Sequence, residues 1–528
     1  MLETIFCNGQ NIREMIDRIS SKFSGEELFD YEKWENSEYF PVPTIVEAAQ
    51  ALYSNHNVRE ITRHDANIDV TTETINNIIS FSRQNSRKSI CFVTGVPGAG
   101  KTLVGLNVAI THGKSTNNER ATYLSSNGPL VQVLQEALLR DRVTQLKEEK
   151  KDAKDNKENE EIKRVNKRAV RGEIHFIEII HKFRDQYVDN ADEIPPEHVV
   201  IFDEAQRAWT LEKMSSFMKE KKSRPNYPYS EPESLIGIMD RLDSWATIIC
   251  LVGGGQEIND GEAGIEEWFD SLKRSFRHWN IYVAPELNDS EYCHHSSWNE
   301  MIEGLNTTYD TNLHLRTSIR SFRTPDLSLF VKHLLDIDEE SAKNDLQKIT
   351  EAGYPIYITR DLKSAKKWVE SVSKGNCRHG LIASSNGLRL KSEGIFVKNK
   401  KSVEQWFLGD KENILSSYFM EEVATEFDIQ GLEIDYAIVA WDADLRFDND
   451  KKTWSYYNFR GHKWNKVHQE IKQRYLLNAY RVLLTRSRQG MIIFIPKGFE
   501  NDLTRKPKFY DETHDYLLRI GISKLENE

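Results

Sequence analysis

Ser89-Ile90-Cys91-Phe92-Val93-Thr94 runs straight into Gly95-Val96-Pro97-Gly98-Ala99-Gly100-Lys101-Thr102, and Leu103 opens another apolar stretch. The first run reads as a short buried strand, the glycines as a turn, and Lys101 to Thr111 as a helix. The eight residues from Gly95 match GxxxxGK[ST] at every fixed position. Each fixed position has a chemical reason. Glycines let the backbone curl until successive N–H groups face one anion, and Lys101 reaches the outer phosphates. Thr102 offers a hydroxyl to Mg²⁺ at a helix N-terminus. The expected phosphate contacts are therefore Gly95, Pro97, Gly98, Ala99, Gly100, Lys101, Thr102 and Leu103, with ATP as the implied ligand.

Further along, the apolar run Val199-Val200-Ile201-Phe202 ends in Asp203-Glu204-Ala205-Gln206. A strand closing on two carboxylates suits hydrolysis: Asp203 holds the metal, while Glu204 orients and deprotonates a water. Such a pair is common by itself. Downstream of a phosphate loop it implies an ATPase and argues against a small-molecule kinase.

Working outward, Ala121-Thr122-Tyr123-Leu124 and Thr247-Ile248-Ile249-Cys250-Leu251-Val252 are further buried-strand candidates, and Pro129 to Leu139 reads as a helix. Alternation of this kind predicts an α/β fold whose parallel sheet is covered on both faces. The pattern restarts with Leu381-Ile382-Ala383, Tyr436-Ala437-Ile438-Val439-Ala440 and Met491-Ile492-Ile493-Phe494-Ile495, and a helix is expected from Tyr475 to Thr485. The expected layout is a mainly helical region over 1–88, one α/β domain over 89–310, a second over 311–500, and a C-terminal tail over 501–528. Within the first region a helix opens at Pro43-Thr44. Residues 140–171 interleave acids and bases and read as an inserted, solvated helix, with a nucleic-acid clamp as the alternative.

With 528 residues, 39% hydrophobic and 29% charged, the chain has the composition of a globular protein of two to four domains. No apolar run approaches the roughly 20 residues that span a bilayer, and the N-terminus lacks a signal-peptide pattern. A cytoplasmic chain with no membrane partner is expected. The five cysteines (Cys7, Cys91, Cys250, Cys293, Cys377) form no CxxC pair, which disfavours a disulfide framework or a zinc site. Cys91 and Cys250 read as core residues, and Cys293-His294-His295 as a surface loop. A net charge of −11 excludes a chain coated in basic patches but leaves room for a local basic groove.

Other segments carry a resemblance. Leu251-Val252-Gly253-Gly254-Gly255-Gln256-Glu257-Ile258 resembles motif III of superfamily 1 helicases, and Leu315-Arg316-Thr317-Ser318-Ile319-Arg320-Ser321 resembles motif IV. Glu426-Phe427-Asp428-Ile429-Gln430-Gly431-Leu432-Glu433 resembles motif V, and Tyr480-Arg481-Val482-Leu483-Leu484-Thr485-Arg486-Ser487 motif VI. Within that superfamily the wording is most similar to the bacterial Schlafen-type helicase-domain group. The resemblance implies two tandem RecA-like domains closing on ATP and Mg²⁺, with single-stranded DNA or RNA as partner and an association with nucleic-acid defence. It further implies that Gln206 and Gln256 sense the γ-phosphate, that Arg320 and Arg486 act as arginine fingers, and that Glu433 meets the ribose. Asn127, with Gly128 and Pro129, falls where motif Ia touches the nucleic-acid backbone. One departure stands out: glycine (Gly254 or Gly255) replaces the usual acidic residue of motif III, which leaves Gln256 to carry that coupling.

Alternatives remain open at this point. Arg486 can instead be a cation at a helix C-terminus, and Arg323 and Arg488 can be surface ion pairs. Trp209, Trp268, Trp406, Trp441, Trp454 and Trp464 are base platforms or core residues. At the level of function, a translocase or helicase stands beside an ATP-driven sensor or clamp that does not unwind. No convincing PD…(D/E)xK constellation is found, so any nuclease or effector would be a separate partner.

Overall fold

Thr44 caps a helix: its hydroxyl accepts from the Glu47 N–H at 3.3 Å, and the Glu47 carboxylate accepts from the Thr44 N–H at 2.7 Å. This reciprocal box starts α1 (Ile45–Tyr53) where the sequence placed a helix. The computed structural model describes residues 13, 44–54, 66–96, 98–113, 120–155, 170–172, 174–190, 192–253, 263–288, 297–316 and 324–525. The elements named below lie in the compact unit Val42–Glu528.

After α2 (Ala66–Gln84), the first lobe runs β1 (Lys88–Gly95), α3 (Lys101–Gly113), β2 (Ala121–Ser125), α4 (Gly128–Asp155), β3 (Ile177–Ile179), α5 (Ile180–Asp189), β4 (Val199–Asp203), β5 (Ala246–Leu251), β6 (Asn280–Val283), β7 (Asn306–Tyr309) and β8 (His314–Leu315). Its eight-stranded sheet has the order β3-β2-β4-β5-β1-β6-β7, with β8 added to β1. The pairings are all parallel. β4 and β5 are buried along their whole length, and β1 everywhere past Lys88. This is why they read as unbroken apolar runs with no alternation.

The second lobe runs α6 (Thr324–Asp336), β9 (Ile356–Thr359), α7 (Leu362–Val372), β10 (His379–Ala383), α8 (Val403–Leu408), β11 (Val423–Thr425), α9 (Glu426–Ile429), β12 (Ile434–Ala440), β13 (Leu445–Asp448), β14 (Thr453–Arg460), β15 (Lys463–Lys466), α10 (Glu470–Leu484), β16 (Ser487–Phe494), α11 (Lys508–Ile520) and β17 (Ser523–Lys524). Six of these strands form a second parallel sheet, β11-β10-β12-β16-β9-β17, while β13-β14-β15 form a separate antiparallel one. The fold is thus α/β, with two tandem RecA-like lobes and helices ahead of the first.

Three expectations need adjustment. The first sheet does not stop at 310, because β8 at His314–Leu315 pairs with β1. The segment expected as a tail over 501–528 is structured as far as 525: α11 buries Tyr510, Tyr516, Leu517 and Ile520, and β17 extends the second sheet beside β9. The charged segment is not simply a projecting solvated helix either. α4 carries it as far as Asp155, and its start is docked. Ser54 donates to Asp141 at 2.9 Å, Gln145 donates to Ser54 at 2.7 Å, and Arg140 donates to the Leu408 carbonyl at 2.7 Å. Residues 156–169 lie outside the described residues. No helix among the described residues is long and apolar enough to cross a membrane.

Candidate nucleotide site

In a parallel sheet all strands end on the same edge, so the segments after β1, β4 and β5 come together there. β5 lies between the other two. Val93 is in register with Leu251, and Phe202 with Cys250.

The turn after β1 bends through Gly98 and Gly100, both at positive φ (80° and 88°), a conformation a side chain would strain. Gly95 has a separate constraint. A Cβ there would lie 2.7 Å from the Leu315 Cβ and 2.8 Å from the Leu315 carbonyl oxygen. The Val96 N–H donates to that same carbonyl at 3.1 Å, so β8 braces the loop from outside. Ala99 and Leu103 are buried. The Lys101 ammonium donates to the Gly95 carbonyl at 2.6 Å and the Val96 carbonyl at 3.3 Å. Pro97 lies outside the described residues.

Across from the loop, the Thr102 hydroxyl donates to the two Asp203 oxygens at 3.3 and 3.4 Å. Tyr123, fully buried on β2, donates to the same carboxylate at 2.6 Å. Burial first, then the adjacent Glu204 carboxylate, pushes Asp203 up to about 7, against the two hydrogen bonds and the charge of Lys101. In its ionised form, which a nearby cation would favour, this carboxylate beside a threonine hydroxyl offers hard oxygens of the kind Mg²⁺ takes. These residues fit the cation that the sequence implies.

Glu204 turns the chain out of β4 in the left-handed region, φ 53° and ψ 50°, an uncommon and costly choice for a non-glycine residue. The Gln206 amide donates to the Glu204 carboxylate at 2.5 Å, and its oxygen accepts from the Gly253 N–H at 3.1 Å. A Cβ on Gly253 would sit 3.1 Å from the Glu204 Oε2 and 3.2 Å from the Gln206 Nε2. The first glycine of the motif III segment thus lets the backbone approach the Glu204–Gln206 pair.

Other expected residues are more dispersed. Gln256, Arg320, Arg323 and Cys293-His294-His295 lie outside the described residues. Glu433 is half-buried just ahead of β12. Arg486 is buried, and its guanidinium donates at 3.2 Å to both the Val482 carbonyl and the Thr485 hydroxyl at the end of α10. Arg488 pairs with Asp435 at 3.8 Å. Asn127 caps α4, accepting from the Leu130 N–H at 3.2 Å, while its amide donates to the Gln430 carbonyl of the second lobe. Gly128 and Pro129 follow as the first residues of α4. Trp268, Trp406, Trp441 and Trp454 are core residues, whereas Trp209 and Trp464 are half-buried.

Sequence reasoning missed Tyr123 as the support of Asp203 and Leu315 as the brace of the loop. It also missed the depth at which Tyr480 is set. Tyr480 is fully buried and donates to Asp444 at 2.5 Å, and burial followed by the neighbouring Asp442 raises Asp444 to about 7. A lone tyrosine inside an apolar strand such as Ala121–Leu124 is the one signal that could have flagged Tyr123, since a buried hydroxyl needs a partner.

Among the solved structures similar to this chain are two helicases. The helicase domain of Hef from Pyrococcus furiosus shares 12% identity, over 80% of this chain and 96% of that one, with a TM-score of 0.25. The DUF1998 helicase MrfA, solved bound to DNA and AMPPNP, shares 11% identity over 87% of this chain and 56% of that one, with a TM-score of 0.28. No curated protein matches the chain. The family model of the Schlafen group 3 DNA/RNA helicase domain matches residues 88–497. Most of the sequence, from β1 through β16, is covered by that match, and the chain belongs to the Schlafen group 3 DNA/RNA helicase-domain family.

Proposed function

We propose that the chain is a nucleic-acid-dependent ATPase of the superfamily 1 helicase or translocase type. The observation that carries this reading is the continuous path from phosphate loop to hydrolytic carboxylates: Thr102 bonded to Asp203, and Glu204 bonded through Gln206 to Gly253. In this reading Lys101 leaves its loop carbonyls for the outer phosphates, and Thr102 and Asp203 hold Mg²⁺. The cation would neutralise charge developing on the transferred phosphoryl group. Glu204 takes a proton from the attacking water as its oxygen bonds to the γ-phosphorus and ADP departs. Gln206 holds Glu204 in place and reports the change to the segment after β5. Arg486, with Arg320, completes the site from the second lobe, and Glu433 meets the ribose.

Nucleic acid would lie over both lobes, and a role in defence is the biological setting we favour. Asn127 supports coupling between lobes, since it ties the start of α4 to the turn before Gly431. For the domain boundaries we favour positions near 88 and 315, a choice supported by the pairing of β8 with the first sheet and of β17 with the second. The test is ATP turnover measured with single- and double-stranded DNA and RNA, with Lys101→Ala as control. Stimulation by one of these polymers and loss in the variant is expected, and turnover indifferent to all four would overturn the reading. Glycine in place of the motif III acid favours a second reading, a clamp that hydrolyses ATP without unwinding. Stimulated turnover with no strand displacement would select it.

A further inference from the structure

A cavity of about 350 Å³ opens in the second lobe, lined by no residue of the phosphate loop. Its size is at the lower end of the ~300–1,000 Å³ typical of small-ligand sites. Its walls come from four places. Ser385 and Asn386 follow β10, Glu426 and Phe427 follow β11, and Tyr475 lies on α10. The fourth wall is Tyr457 and Asn458 of the antiparallel sheet, which is additional to the parallel six-stranded sheet.

The lining combines planar aromatic surface with hydrogen-bonding groups. Phe427 is 50% exposed, so its ring is open to a stacked base. The Tyr457 ring is held by the Arg446 guanidinium stacked 4.0 Å above its centre. Glu426 is only 3% exposed. Its two oxygens accept from the Ser385 hydroxyl at 2.7 Å and the Ser385 N–H at 2.8 Å. An ionised carboxylate has about four acceptor positions, so two remain on a group that lines the cavity. Lys472 also lines it and is exposed, where it can meet a phosphate.

We propose that this cavity takes one guanine base extruded from a single strand, stacked on Phe427 and Tyr457, with Glu426 accepting from its N1–H and N2–H groups. The proposal rests on the nucleic-acid reading above and adds base selectivity to it. Guanine alone among the four common bases presents two adjacent donors on its Watson–Crick edge. Adenine and cytosine set a ring-nitrogen acceptor beside their amine, against the carboxylate, and thymine or uracil offers a single donor between two carbonyls. Reading an unstacked base by aromatic stacking and edge hydrogen bonds is the usual mode for single strands.

The experiment is fluorescence anisotropy of the full chain with short labelled thymidine strands carrying one central guanine, adenine or cytosine, together with uridine-strand RNA counterparts. The guanine strand is expected to bind at least about fivefold tighter than the all-thymidine strand, and Glu426→Gln to bring that ratio to within about twofold. If Glu426→Gln fails to fold, Phe427→Ala, which alters an exposed ring, serves instead and should weaken the guanine strand several-fold. Equal binding of all strands would overturn the pocket while leaving the ATPase reading intact. Binding to none would overturn the nucleic-acid reading itself. Guanosine monophosphate as competitor separates the two sources of the base: displacement at micromolar concentration would assign the cavity to a free nucleotide and refute the extruded base.

Discussion

Replacing Asp203 with asparagine should make the protein more stable and less able to use its metal. The carboxyl is 6% exposed and is raised from 3.8 to about 7, chiefly by burial. At about 1.4 kcal/mol per unit, keeping this group ionised costs the fold on the order of 4 kcal/mol. Because the folded-state value lies above the unfolded one, the group's favourable contribution is complete below about pH 4 and is lost as pH rises through about 7. The amide introduced by Asp203→Asn would not titrate. It can still accept from Tyr123, whose 2.6 Å bond is the shortest contact on the carboxylate, but it gives up the attraction of Lys101. A net gain of roughly 2–4 kcal/mol is therefore expected near pH 8, which corresponds to roughly 2–8 °C in melting temperature, the lower end if the whole chain unfolds together and the upper end if the first lobe unfolds by itself. Near pH 5 the gain should shrink to roughly a third of that. The assay is thermal unfolding of both proteins at the two pH values, without and then with ATP and Mg²⁺. Nucleotide and metal should stabilise the natural protein and leave Asp203→Asn nearly unmoved. A stability difference that is the same at both pH values, or of opposite sign near pH 8, would refute the reasoning.

Four further outcomes are expected. Glu204→Gln should keep nucleotide affinity while lowering turnover by a factor of about 10² or more, seen as ATP retained on the protein after filtration. Arg486→Ala should reduce turnover by about 10³-fold or more with affinity little changed, and an unchanged rate would leave only its role at the end of α10. Gly95→Ala should cost about 1–3 kcal/mol and weaken nucleotide binding, because the new methyl meets Leu315 within 2.8 Å; normal binding of a fluorescent nucleotide by this variant would show that β8 yields. Tyr480→Phe should cost about 1–3 kcal/mol, since Asp444 loses its 2.5 Å partner, and an unchanged urea midpoint would show that the carboxyl is satisfied without it.

The phosphate loop and the two acids were legible because their chemistry fixes residue types at fixed spacing. The strands beneath them were legible because burial on both faces writes a continuous apolar run, as in Val199–Phe202. Elements at the rim left weaker traces. β7 reads Asn-Thr-Thr-Tyr and is largely exposed, so nothing apolar announces it. β14, Thr-Trp-Ser-Tyr-Tyr-Asn-Phe-Arg, is half-buried over most of its length and shows no clean alternation. The helix expected to end at Leu139 continues to Asp155, since lysine, glutamate and arginine favour helix even where no apolar face remains. α11 could have been found: Tyr510, Tyr516, Leu517 and Ile520 fall on one helical face. Contacts such as Tyr123 to Asp203, joining residues far apart in the chain, follow only from strand order. Base selectivity in the second lobe depends on the same kind of knowledge.

Leu315 closes the first sheet, and the chain passes from it into the second lobe. Its carbonyl and Cβ press on Val96 and Gly95, so the strand that ends the first lobe and the loop that precedes α3 share one contact. A displacement of that strand is felt at the loop backbone without passing through the rest of the sheet.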